Sequence, residues 1–209
     1  ITVIFLINIS PLKIETSNYF LDSILNLILI IFLTAIINFV NFMDGIDGLV
    51  AGSMIIYLLI FVNILTPALI PLIASLSAFL IFNWHPAKVF MGDTGSTYLG
   101  VLFAGLLLEM PSWNISLEIL LVASPLLADA FFCIIRRILS NENIFKPHRK
   151  HLYQRLIGNR GLTHSKVSSI YIFASFSLAM SKYLGGLNLL IISLAIILFV
   201  GYYLDKKIA

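Results

Sequence analysis

Charged residues are scarce in this chain. Asp, Glu, Lys and Arg make up 11% of its 209 residues, whereas hydrophobic residues make up 60%. Soluble domains typically contain about 25% charged and roughly 45–50% apolar residues, so the composition excludes an ordinary soluble domain. It predicts an integral membrane protein.

Cysteine is nearly absent as well, because Cys133 is the one cysteine in the sequence. Without a second thiol, the chain can form neither an internal disulfide nor a Cys-x-x-Cys metal site. Cys133 lies within an apolar stretch, where a free thiol behaves as a small hydrophobic side chain. We interpret it as a packing residue.

Long apolar stretches recur along the chain. They cover residues 23–40, 49–65, 68–82, 97–109, 117–135, 167–182 and 187–204. Several are shorter than the ~20 residues that a perpendicular span needs. The pattern predicts an all-α, polytopic membrane helix bundle that forms one domain over residues 1–209, with about seven complete transmembrane helices. Residues 1–9 resemble the end of a further, partial span, so we expect an N-terminally truncated piece.

Basic residues are concentrated in one connection, between the stretches that end near residue 135 and begin near residue 167. Its eight Lys and Arg residues, of 13 in the chain, are Arg136, Arg137, Lys146, Arg149, Lys150, Arg155, Arg160 and Lys166. Because Lys and Arg stay on the cytoplasmic side of a membrane, we expect this loop to be cytoplasmic. Counting spans outward places residues 41–48, 83–96 and 205–207 on the same face.

The net charge of +3 raises the question of nucleic-acid binding. The bases crowd one loop beside the membrane instead of covering a soluble domain, so we expect no nucleic-acid partner. A phosphate-bearing lipid or a nucleotide fits this distribution better.

A first acidic motif ends the stretch 23–40. Its side chains, each three residues after the last, are Asn38, Asn41, Asp44 and Asp47. Neighbours at this spacing share a helix face, and two glycines loosen the backbone where the span ends. Oxygen ligands at the water boundary suit a divalent cation and a phosphate-bearing substrate. Polar capping of a helix end is the alternative, and an EF-hand calcium loop is disfavoured because its final Glu is missing.

A second motif, Phe-Met-Gly-Asp-Thr-Gly-Ser, covers residues 90–96. Pro86 ends the preceding span, and the glycines allow a tight turn that presents Asp93 beside free N–H groups. A metal ligand beside amide donors suits a pyrophosphate. The alternative is a glycine-rich turn with a capping aspartate, which the other acidic motif on the same face disfavours.

A third motif, Pro-His-Arg-Lys-His-Leu-Tyr-Gln-Arg, covers residues 147–155. Here His148 and His151 stand among cationic groups that can neutralise a diphosphate and stabilise a leaving nucleotide. A topology signal alone explains the bases but not the histidines. Zinc can bind two histidines, but the oxygen-rich acids and the lack of an HExxH or cysteine set favour Mg2+, or else Mn2+. His85 and His164 are interpreted as loop residues.

Asp129 is an ionisable residue inside a predicted span, upstream of the basic loop. Such residues pair with other polar groups or line functional cavities in membrane proteins. Asp129 therefore either pairs with a neighbouring polar group or lines the substrate cleft.

In order and spacing, the motifs resemble those of the polyprenyl-phosphate N-acetylhexosamine-1-phosphate transferases, glycosyltransferase family 4. The matching runs are Asn38-x-x-Asn41-x-x-Asp44-Gly-Ile-Asp47-Gly-Leu, Asn83-x-x-Pro86-Ala87-x-x-Phe90-x-Gly-Asp93-Thr-Gly-Ser and Pro147-His148-Arg149-x-His151-Leu-Tyr-Gln-Arg155. The resemblance covers essentially the whole chain. It implies transfer of a sugar 1-phosphate from a UDP-N-acetylhexosamine to undecaprenyl phosphate, with release of UMP, at the cytoplasmic face of the bacterial inner membrane. The third motif resembles the O-antigen (lipopolysaccharide) branch of the family more than the peptidoglycan branch.

The resemblance also implies roles for individual residues. Asp93 and Asn41 would ligate Mg2+, and Asp44 would have a structural or catalytic acid role. Asp47 and Phe90 would hold the uracil by hydrogen bonding and stacking. The implied catalytic residues are Asp44, Asp93, His148 and His151, and the further substrate-binding residues are Asn83, Arg149 and Arg155, with His148, Arg149 and His151 on the diphosphate.

Members of the family also carry an adjacent aspartate pair in an earlier cytoplasmic loop. This chain has no such pair, which we attribute to truncation. Two alternatives therefore accompany the transferase hypothesis. A transporter of an anionic substrate would place its acids near the middle of the bilayer, whereas all but Asp129 lie at one boundary here. A catalytically incomplete paralogue is supported only by the missing aspartate pair.

Overall fold

In the computed structural model, which describes residues 1–143, 146 and 148–208, every regular element is a helix. The elements are α1 (Thr2–Ile9), α2 (Tyr19–Phe42), α3 (Leu49–Ile64), a 3-10 turn (Pro67–Leu69), α4 (Ile70–Asn83), α5 (Gly92–Leu108), α6 (Trp113–Val122), α7 (Ser124–Leu139), α8 (Leu152–Arg160) and α9 (His164–Ile208). The predicted all-α class is confirmed for these residues.

Two described helices, α2 and α9, are long and apolar enough to cross a membrane. Taken together, α6 and α7 are also long and apolar enough to cross a membrane, although the chain bends by 79° at the break between them. The apolar helices Leu49–Ile64 and Pro67–Asn83 are shorter. The helical architecture thus agrees with a membrane protein, while about seven complete spans stays a prediction.

The breaks between helices differ from the predicted apolar stretches at one place and agree with them at another. The stretch 117–135 is divided at Ala123, where α6 ends and α7 begins with Pro125 in its first turn. Proline has no N–H to continue the hydrogen-bond ladder of a preceding helix, which favours a new helix start at this point. The stretches 167–182 and 187–204 both lie within α9, which consists of two helices separated by non-helical backbone at Gly186, so the predicted separation of these stretches is confirmed. That residue has φ 61°, a conformation that favours glycine.

Close packing of α2 against α5 brings two of the motifs together. A Cβ atom at Gly100 of α5 would lie 3.0 Å from the Cα and carbonyl oxygen of Ile37 in α2. Small residues let helix backbones approach in membrane proteins. One turn earlier in α5, the buried Ser96 hydroxyl donates to Asn41 Oδ1 at 2.7 Å. The end of α2 and the start of α5 therefore form one polar junction.

The connections separate into two ends of the bundle. At the end away from the motifs, Ser10 Oγ donates to the Leu108 carbonyl at 2.7 Å, and Lys182 pairs with Glu118. The three motifs contact one another at the other end. The predicted grouping of the loops is confirmed, and the cytoplasmic orientation of the motif end stays a prediction.

Gly100→Leu is expected to force α2 and α5 apart. Overpacking of this kind typically costs about 1–3 kcal/mol, so the thermal unfolding midpoint in detergent should fall. Gly201→Leu is the matched control, because a Cβ there would meet no atom within 4 Å. Equal unfolding midpoints for the two variants would contradict the proposed close approach.

Candidate functional site

The first acidic motif is divided by the end of α2. Because α2 ends at Phe42, Asn38 and Asn41 are helical, whereas Asp44 and Asp47 lie in the following turn. Asn38 is exposed and donates to a carbonyl of its own helix, that of Thr34. A shared helix face is therefore possible for Asn38 and Asn41 but not for the two aspartates. Within this turn, the two aspartates have different neighbours.

Asp44 lies close to Asp93, which stands in the first turn of α5. Burial, and then the negative charge of Asp93, raise the pKa of Asp44 to about 7. Asn41, whose amide oxygen is held by Ser96, belongs to the same junction. We call Asn41, Asp44 and Asp93 the acid cluster. Two repelling carboxylates beside an amide oxygen form a donor set that fits Mg2+ or Mn2+.

Asp47 is held by groups that the sequence interpretation treated as ordinary loop residues. Its Oδ2 lies 2.6 Å from His85 Nδ1 and 3.3 Å from His164 Nδ1, and accepts the Ala87 N–H at 3.3 Å. Burial opposes ionisation, but His85, Ala87 and His164 outweigh it and lower the pKa of Asp47. Among the described residues, every hydrogen bond to this carboxylate falls on Oδ2, so Oδ1 faces no protein donor there.

No feature of the sequence indicated this arrangement, because His164 is 117 residues away from Asp47. The histidine rings lie 4.8 Å apart, centroid to centroid. The fold alone brings the start of α9 to the turn after α2. His85 and His164 are thus the residues that sequence reasoning missed.

Asn83 connects the Asp47 turn to the segment that carries Phe90. It is 5% exposed, accepts the Gly48 N–H at 3.0 Å and donates to the Val89 carbonyl at 2.9 Å. The backbone therefore contacts both ends of its amide, which gives Asn83 a positioning role, and the substrate contact stays a prediction. Phe90 itself is 74% exposed, so its ring is open to a planar ligand.

Asp129 organises the basic loop from within α7. Its Oδ1 accepts the Leu152 N–H at 2.8 Å, and its Oδ2 accepts the Tyr153 N–H at 3.1 Å and the Tyr171 hydroxyl at 2.7 Å. The first N–H groups of a helix have no partner within it, and a carboxylate there is favoured by the helix dipole. Of the two alternatives for Asp129, pairing with polar neighbours is confirmed. Its contacts fix the position of His151 just before α8.

The two histidines of the basic loop differ in environment. His151 is 3% exposed, and its Nδ1 lies 3.6 Å from Asp129 Oδ1. Burial disfavours its cation, but Asp129 and Cys133 outweigh burial and raise the pKa of His151 to about 9. His148 stacks on it with the ring centroids 5.1 Å apart. Burial, and then the charges of Arg137 and His151, lower the pKa of His148.

Contacts of α8 join the basic loop to the acid cluster. The Tyr153 hydroxyl donates to the Phe42 carbonyl at 3.1 Å, and the rings of Phe42 and His151 lie 6.5 Å apart. A Cβ at Gly45 would lie 2.0 Å from the Tyr153 hydroxyl, so the turn that carries Asp44 lies directly against Tyr153. The third motif thus meets the first at the end of α2.

The two arginines predicted to bind substrate lie in different surroundings. Arg149 is exposed. The Arg155 side chain is only 14% exposed and forms an ion pair with Asp205, which also lies 3.2 Å from Arg136. Arg155 therefore attaches the end of α9 to the basic loop. Lys150, also exposed, pairs with Glu142.

Known proteins show similarity to a large part of this chain. Residues 1–110 match the family described as Glycosyl transferase family 4. A probable undecaprenyl-phosphate N-acetylglucosaminyl 1-phosphate transferase of Bacillus subtilis (strain 168) is 37% identical over 158 residues, which are 69% of this chain and 43% of that protein. A decaprenyl-phosphate N-acetylglucosaminephosphotransferase of Mycobacterium leprae (strain TN) is 32% identical over 179 residues, covering 70% and 45%.

A phospho-N-acetylmuramoyl-pentapeptide-transferase of Deinococcus radiodurans is 49% identical over 69 residues, which are 33% of this chain and 22% of that protein. The alignments thus cover less than half the length of each of these relatives.

The pairing of His151 with Asp129 predicts a pH-dependent stability. Because the folded-state pKa of His151, about 9, lies above its ordinary value of 6.5, this contribution is fully present below pH 6.5 and is lost as pH rises through about 9. Unfolding midpoints in detergent should fall across this window, and Asp129→Asn should flatten the fall. His148→Gln is the control, since the lowered pKa of His148 acts below pH 6.5. An unchanged pH slope in Asp129→Asn would remove the ion pair as its cause.

Proposed function

The chain belongs to glycosyl transferase family 4, and from this membership we propose that the complete protein transfers an N-acetylhexosamine 1-phosphate from a UDP-sugar to undecaprenyl phosphate. The observation that carries the proposal is the contact of α8 with the end of α2. The Tyr153 hydroxyl donates to the carbonyl of Phe42, the last residue of α2, and the His151 ring lies 6.5 Å from the Phe42 ring, which supports joint action of the basic loop and the acid cluster. A site with cation-binding acids next to cationic side chains suits a diphosphate substrate.

Mg2+, with Mn2+ as the alternative, is the proposed cofactor. Asp93 and Asn41 would hold the ion, because carboxylate and amide oxygens are ligands that hard divalent cations prefer. The pKa of Asp44, raised to about 7, shows that the cluster disfavours a second negative charge when no cation balances it. A bound cation would neutralise charge on the diphosphate and on the transferred phosphoryl group.

Asp47 and Phe90 are proposed to select the base of the nucleotide. With Oδ2 occupied by His85, His164 and Ala87, Oδ1 is available to accept the N3–H of uracil. Cytosine has a lone pair at that position, so the same carboxylate would reject it. The exposed Phe90 ring would stack on the base.

The basic loop is proposed to hold the diphosphate and the leaving group. His151, with its pKa raised to about 9, carries a positive charge at neutral pH, and Arg149 adds a second cation. An oxygen of the lipid phosphate attacks the phosphorus that bears the sugar, and the bond from that phosphorus to the UMP oxygen breaks in line. The protein's part is to orient both phosphates and to balance the charge on the departing UMP.

The proposed setting is the bacterial inner membrane with the motif end facing the cytoplasm. The concentration of Lys and Arg in the connection between α7 and α9 supports this orientation. The sequence of residues 147–155 supports initiation of an O-antigen type of glycan over the peptidoglycan reaction. The mycobacterial and Bacillus relatives, whose names specify N-acetylglucosamine, support an N-acetylhexosamine donor.

A transporter is disfavoured because Asp129, the acid predicted to lie within a span, has a structural role. Both of its oxygens are engaged in holding α8 and Tyr171. Transporters place substrate-coordinating groups near the middle of the bilayer, and here the remaining motif acids lie at one end of the bundle.

The direct test is UMP release by membranes that contain the full-length protein, undecaprenyl phosphate and a panel of UDP-N-acetylhexosamines. We expect release that requires the lipid phosphate, stops with a chelator and returns with Mg2+. The donor that gives lipid-linked product identifies the sugar. Uptake of the UDP-sugar without UMP release would favour the transporter. The absence of both uptake and UMP release would favour a catalytically incomplete paralogue.

Asp93→Asn is expected to lower turnover by at least about 100-fold, because it removes the principal proposed metal ligand. Membrane insertion and the unfolding midpoint should be retained, since the side chain is exposed. Lys150→Ala is the comparison, with a loss expected to stay below about 5-fold, as its exposed ion pair with Glu142 contributes little. Near-normal turnover of Asp93→Asn would remove this residue from the metal site.

A further inference from the structure

A third polar group connects α7 with the basic loop. One ligand atom each from Cys133, His148 and His151 lies within 4.8 Å of the other two. Cys133 is 1% exposed and His151 3% exposed. We propose that these three side chains form a binding site for a borderline-soft divalent cation such as Zn2+, and that its occupancy inhibits the transferase.

The ligand chemistry selects the class of cation. A thiolate and two imidazoles bind Zn2+ strongly, whereas Mg2+ prefers oxygen ligands. The acid cluster offers oxygens only, so the two sites would hold different metals. Three protein ligands leave a fourth tetrahedral position for water.

The geometry needs only a small closure. With Zn–S near 2.3 Å and Zn–N near 2.0 Å, tetrahedral ligand atoms lie roughly 3.5 Å apart. Because the three atoms lie within 4.8 Å of one another, each distance must shorten by at most about 1.3 Å. Cys133 is fixed within α7, and His151 is fixed just before the Asp129-capped start of α8. His148 lies outside the helices and is partly exposed, which makes it the ligand that moves.

Asp129 supplies the support that histidine ligands commonly have. Metal-bound histidines usually contact a carboxylate, which orients the ring and increases its basicity. Asp129 Oδ1 lies 3.6 Å from His151 Nδ1. The carboxylate and a Cys133 thiolate would together balance the double charge of the cation. The sequence alone favoured packing for Cys133, and the folded chain places its thiol beside both histidines.

Inhibition is expected because the same two histidines are proposed to bind the diphosphate, so this part of the inference rests on the proposed function. His148 and His151 are proposed to hold the diphosphate, and a cation bound between them and Cys133 would withdraw both. Zn2+ should therefore compete with the UDP-sugar. Cys133 contacts no substrate in the proposed transfer, so its removal tests the metal site while both histidines remain in place.

The test uses the full-length protein in detergent and Co2+ as a spectroscopic probe for Zn2+. We expect a thiolate-to-cobalt charge-transfer band that Zn2+ removes and Mg2+ does not. Cys133→Ser should lack the band. In the unmodified chain, Zn2+ should protect the Cys133 thiol from an alkylating reagent. In the UMP-release assay, Cys133→Ser should keep its turnover while Zn2+ inhibition weakens by about 10-fold or more.

His148→Gln is the second variant, because His148 is a partly exposed ligand outside the helices, where a substitution leaves the packed core intact. It should weaken the Co2+ band while Lys150→Ala, its neighbour in the loop, leaves the band unchanged. Identical Co2+ spectra and Zn2+ affinities in the unmodified protein, Cys133→Ser and His148→Gln would overturn the site.

The separate parts of the proposal have separate outcomes. A Co2+ band that requires Cys133, together with Zn2+ inhibition that does not, would overturn the inhibitory role and leave the site. Absence of UMP release under all conditions would contradict the proposed function, while the band would still decide the metal site.

Discussion

A single buried carboxylate determines where the basic loop lies. Asp129 stands in α7, and both of its oxygens accept N–H groups from the start of α8. Since these N–H groups have no partner within α8 itself, the helix start must stay at the carboxylate. His151 precedes that helix start, and Tyr153 follows it and reaches the end of α2. Asp129 therefore fixes the start of α8, while Tyr153 and Arg155 attach the same helix to the end of α2 and to the end of α9.

Two aspartates three residues apart have pKa shifts of opposite direction, because they lie in a turn and contact different neighbours. Asp44 meets Asp93, and burial with like charge raises its pKa to about 7. Asp47 meets His85 and His164, which outweigh burial and lower its pKa. The first environment suits a cation, whereas the second keeps a carboxylate ionised and fixed by one oxygen. One short segment can therefore serve the phosphate end and the base end of a nucleotide.

The packing of the helices also positions the motifs relative to one another. Gly100 lets α5 approach the backbone of α2, which brings Asn41 to the junction with Ser96 and the start of α5. Asn83 uses its amide to join the Asp47 turn to the Phe90 segment. Both are positioning residues, and neither needs to touch a ligand. Their contacts show how a small or an amide side chain can position the motifs without belonging to the acid cluster.

The sequence by itself determined the helical class, the grouping of the polar loops at one end, and the family, because apolar stretches and short motifs are local patterns. It did not determine the 79° bend between α6 and α7, because the angle at a break in a helix depends on packing as well as on Pro125. Only the tertiary structure decided that His85 and His164 hold Asp47, that Asp129 caps α8, and that Cys133 lies beside His148 and His151. These groups are far apart in the chain, and their convergence is produced by helix packing, which no local spacing encodes.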